Sequence, residues 1–67
     1  MRGPDVPRTV ASIALDIQTS KGMKLSGGQF DRLCAILYAS GDPEGRGRGL
    51  AAMDNRALLE LIGDRKV

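Results

Sequence analysis

The residues of this chain that could do chemistry fall into a few short groups. Lys21 and Lys24 precede Ser26, Gly27 and Gly28, where an apolar-patterned stretch begins. If that stretch is helical, its first amides face open space and attract an anion, with Lys24 beside them. Arg46 and Arg48 alternate with glycines in GRGRG, and guanidiniums on a pliable backbone can grip nucleic-acid phosphates. Asp42 and Glu44 supply two carboxylates without the remaining oxygen ligands of a calcium site. Cys34 is the sole thiol and falls on an apolar stripe, which suits a small buried hydrophobe better than a nucleophile. Histidine is absent, and with it the usual general base and commonest transition-metal ligand. These residues lead to the expectation of a non-enzyme, with no metal, cofactor or small-molecule substrate.

The string LSGGQ, residues 25–29, with Arg32 three positions further on, resembles the signature helix of the ABC-type ATPases. That resemblance implies that the Ser26 hydroxyl and the amides of Gly27 and Gly28 complete a nucleotide site whose phosphate loop comes from an opposing domain. The likeness covers about eight positions. The chain holds no G-x-x-x-x-G-K-[ST] to cradle phosphates, and no apolar strand ending in Asp to hold magnesium. A second account of the same letters is structural. Ser26 as N-cap puts Gln29 three residues on, an S-x-x-Q capping box, and Leu25 and Phe30 flank it as a hydrophobic staple.

The elements that must carry these groups are helical. From Asp5-Val6-Pro7, which can cap and open a first turn, Val6, Val10, Ile13, Ala14 and Ile17 recur at helical spacing, and Gly22 offers a stop. The first helix is expected over 6–20. A second is expected over 26–40, with Phe30, Leu33, Cys34 and Leu37 inward. Its back carries only Asp31 and Arg32 as charges, so Ala35, Ile36, Tyr38 and Ala39 spread apolar surface around the cylinder. Residues 41–49, with four glycines in nine positions, read as a flexible loop. After a short helical turn, Asp54 caps a last helix over 54–63, stapled by Met53 and Leu58 and ended by Gly63. The alternating pattern of a strand is absent.

The fold expected is therefore all-α, a single small three-helix bundle with a short extra helical turn before the last helix. A chain of 67 residues buries only about 60% of its unfolded surface. With one Phe, one Tyr and no Trp it lacks the largest apolar side chains, so self-association or a partner would relieve a thin core. The charge of +2 comes from ten Lys/Arg and eight Asp/Glu, interspersed, and does not by itself demand nucleic acid. No apolar stretch is long enough for a membrane span, and a lone Cys suits a reducing cytoplasm. The function expected is a non-catalytic interaction protein, self-associating as a homodimer, that masks or bridges a protein partner as small phage or mobile-element regulators and inhibitors do. Tyr38, Ile36, Ala35 and Arg32 are its candidate contacts. The alternative is a small helical nucleic-acid binder using Arg46 and Arg48, with Lys24, Ser26, Gly27 and Gly28 as a further anion contact.

Overall fold

In the computed structural model, which describes residues 9–63, the chain forms four helices in the order α1 (Val10–Ser20), α2 (Gly27–Ala39), α3 (Pro43–Ala52) and α4 (Asn55–Ile62). No strand occurs among the described residues, and the fold is all-α. The expected cap at Asp5-Val6-Pro7 lies outside the described residues. Within them, Thr9 is extended and its hydroxyl accepts from the Ser12 amide at 3.0 Å, so α1 starts at Val10 rather than at residue 6. Ile13, Ala14 and Ile17 form its buried stripe. The helix closes in a Schellman motif: Met23 N donates to Gln18 O, Gly22 N donates to Thr19 O, and Gly22 takes φ 65°.

Helix α2 opens through the capping box that its first letters encode. Gln29 N donates to Ser26 Oγ at 3.2 Å, and Ser26 N donates back to Gln29 Oε1 at 3.0 Å. Leu25 and Phe30 are half-buried against the core, as a staple requires. Leu33 and Leu37 are fully buried, and Cys34 is half-buried.

The segment 41–49, expected as a flexible loop, is instead two turn residues, Gly41 and Asp42, and most of a ten-residue helix. Gly41 reverses the chain with φ 76°. Asp42 then caps α3 through its carboxylate on Gly45 N at 3.2 Å, Pro43 occupies the first turn, and Glu44 places negative charge at the helix start. Two of the three glycines that weaken this helix have structural reasons to be there. A Cβ on Gly45 would run into the Asp42 carboxylate, and one on Gly47 would lie 2.7 Å from Ile13 Cγ2. Gly47 is buried where α3 crosses α1, the most extensive helix pair in the molecule. A small side lets the backbones close, and that packing replaces the helix propensity the glycines give up. Leu50 completes the face toward the core.

Asp54 caps α4, accepting from Ala57 N at 2.7 Å, and Gly63 terminates it with φ 90°. Leu58 and Ile62 point inward, while Leu61 is 43% exposed. Ile13, Ala14, Ile17, Leu33, Leu37, Leu50, Leu58 and Ile62 thus form one core fed by all four helices. Each large aliphatic member contributes roughly 1.5–3 kcal/mol by leaving water.

Candidate protein-binding face

Of the two lysines expected near the start of α2, one is engaged elsewhere. Lys21 turns the other way: its Nζ donates to Ala51 O at 3.2 Å and to Met53 O, placing an ammonium on the carbonyl end of α3. A cation there satisfies orphan acceptors and meets the negative end of the helix dipole. In return, Asn55 Nδ2 donates to Lys21 O at 3.0 Å, so the end of α1 and the α3–α4 junction cap each other. A second exchange joins α2 to α4. Gln29 is 1% exposed, and beyond its part in the capping box its Nε2 donates to Gly63 O at 2.9 Å. Arg32 Nη1 donates to Ile62 O at 3.4 Å. The Gln of LSGGQ is thus turned inward, tying the start of α2 to the end of α4.

This geometry separates the candidate residues. Ser26 is committed to the cap, Gly27 is exposed, Gly28 is half-buried, and Lys24 is exposed at the edge of a groove of about 330 Å³ beside Met23, Gln29 and Leu59. Neither Gly27 nor Gly28 lines that groove. Arg46 and Arg48 are exposed, yet on a helix two residues apart they project about 200° from one another, so they do not form one phosphate grip. Arg48 borders a second groove, of about 190 Å³, between α1 and α3 with Asp16, Glu44 and Ala51.

The candidate contacts on α2 divide as well. Tyr38 is 78% exposed, Ala35 and Ala39 are exposed beside it, and Asp31 and Arg32 complete the outward surface. Ile36 differs from its expected role, being half-buried and packed against the core. At about 100° per residue the exposed positions span an arc of roughly 120° centred on Ala35. Cys34 borders this arc; burial first, and then the nearby Asp31 carboxylate, hold its thiol above the usual range, so it stays protonated at neutral pH.

The two capping exchanges were not foreseen from the sequence. For Gln29 the S-x-x-Q pattern carried half of the signal, its amide oxygen; nothing local announces that its nitrogen reaches residue 63. Lys21 carried none, since its acceptors lie thirty and thirty-two residues away. Among the described residues no group of three or more His, Cys, Asp or Glu could hold a metal ion, and no helix is long and apolar enough to cross a membrane. No protein-family model, curated protein or solved structure matches the chain.

Proposed function

We propose that this chain is a non-catalytic protein-interaction module, a small regulator or inhibitor of the kind phages and mobile elements carry, which docks protein through the outward face of α2. One observation carries the reading: Tyr38, the only tyrosine, stands 78% exposed although the core closes without it. A half-apolar ring in water adds nothing to the stability of the lone chain. Among small neighbours such as Ala35 and Ala39, it is the type of side chain that anchors an interface. The cations Lys21 and Arg32 are engaged with backbone carbonyls, and among the described residues Arg46 and Arg48, the pair on which the nucleic-acid alternative rests, diverge from one another. A cytoplasmic setting fits the lone thiol of Cys34.

The test is capture of a protein partner from the native cell by the intact chain and by Tyr38→Asp. The variant is expected to lose the partner, with its helical circular dichroism unchanged because Tyr38 contributes nothing to the core. Equal capture by both chains would place the interface elsewhere.

A further inference from the structure

We infer that the occupant of this face is a second copy of the same chain, packed antiparallel with α2 against α2 and a two-fold axis beside Ala35. The inference rests on the reading of α2 as a docking face and names what docks there. A two-fold interface requires a surface complementary to itself, and the residues exposed on α2 satisfy that condition. Ala35 lies at the centre of the exposed arc, and its methyl group lets two helix backbones approach to ~8 Å. Asp31, four residues before it, and Tyr38, three after it, lie on one side of the arc. Arg32 and Ala39 lie on the other.

Antiparallel pairing inverts position along the helix and preserves the side. The Tyr38 hydroxyl of one copy therefore meets the Asp31 carboxylate of the other, and symmetry forms this charge-assisted hydrogen bond twice. Arg32 comes to lie over Ala39 of the second copy, near the carbonyl end of that helix, where a cation is favoured. A parallel pair would instead set Asp31 against Arg32 and Tyr38 against Ala39, leaving both Tyr38 hydroxyls without a carboxylate, and parallel helix dipoles oppose each other. The antiparallel arrangement uses the carboxylate and the hydroxyl that the fold leaves outward. One helix face is a small interface, so the dimer is weak and depends on concentration.

Sedimentation velocity over a concentration series reads this directly. The intact chain is expected to pass from monomer to dimer. Tyr38→Phe should weaken dimerisation about a hundredfold, the worth of two hydroxyl bonds to charged groups, while keeping the ring. Ala35→Glu should abolish it by setting two carboxylates face to face, with circular dichroism unchanged. Orientation is read in a Cys34→Ser background by disulfide trapping. Ala35→Cys should link to itself and Ala39→Cys should not, because antiparallel packing holds the two copies of position 39 apart. A chain that stays monomeric at every concentration, a dimer indifferent to Ala35→Glu, or ready self-linking at position 39 would each overturn the inference. If the chain stays monomeric while Tyr38→Asp still loses a protein captured from the cell, the docking face stands and the second copy is excluded as its occupant.

Discussion

Gln29 shows how far one residue's role can exceed what its local pattern states. The capping box uses only an acceptor, which Glu supplies as well as Gln. The choice of Gln becomes physical only with Gly63 in place, because the side-chain nitrogen must donate to that carbonyl from a position 1% exposed. Gln29→Glu keeps the box and loses the donor, leaving a carboxylate buried against an oxygen. It should cost about 2–4 kcal/mol at neutral pH. Burial raises the folded-state pKa of the new carboxyl above its unfolded value of ~4.3. Protonated, it can donate to Gly63 O, so the deficit against the parent chain is small at acid pH and grows as pH rises through the folded pKa. Urea melts of both chains from about pH 3, roughly a unit below the unfolded value, up to about pH 8 check the sign. A deficit that does not vary with pH would mean that the Gly63 contact contributes nothing.

At the scale of elements, what was legible depended on whether the signal was local. Ser26 and Asp54 were recognisable as caps, and both accept from the amide three residues on. The stripes of Ile13, Ala14 and Ile17 and of Leu33 and Leu37 were readable from spacing alone, and they are buried. Helix α3 was not recognised, although its start was written in Asp42, Pro43 and Glu44, a cap, a first-turn proline and an acidic first turn. Gly45, Gly47 and Gly49 outweighed that signal, since their cost to an isolated helix is real. What reverses the balance is tertiary: Gly47 lets α3 seat against Ile13 on α1. The buried Gly47 and the exposed Gly49 of this helix therefore separate packing from propensity. Gly47→Ala should destabilise by about 1–3 kcal/mol through overpacking, despite alanine's better propensity. Gly49→Ala, whose Cβ meets nothing within 4 Å, should stabilise by about 0.5–1 kcal/mol. Thermal melts of the pair check both signs; if both variants were stabilised, the close crossing of α1 and α3 would not be what selects glycine at 47.

For the whole molecule, the organising feature is that polar side chains of early helices close the carbonyl ends of later ones. Lys21 caps α3, and Gln29 and Arg32 cap α4, each across about thirty residues of sequence. These long-range bonds could not be read from spacing, and they decide which surface remains. They hold Lys21 on the carbonyl end of α3 and one nitrogen of Arg32 on Ile62 O, and Ser26 belongs to the cap, while Lys24 and Gly27 stay exposed at the start of α2. Leucines fill the centre, Ile36 leans onto the core, and Tyr38 is left outside. The excess apolar surface of α2 was legible from its scarcity of charge, whereas the division between Ile36 and Tyr38 required the placement of α3 and α4.

The proposal that copies of the chain meet at the outward arc of α2 is tested most directly by a concentration series of amide chemical shifts on the isotope-labelled chain. Shifts should move together at Asp31, Arg32, Ala35, Tyr38 and Ala39, while those lining the α1–α3 groove, such as Ile17 and Gly47, stay fixed. Changes confined to that groove, with α2 silent, would contradict it.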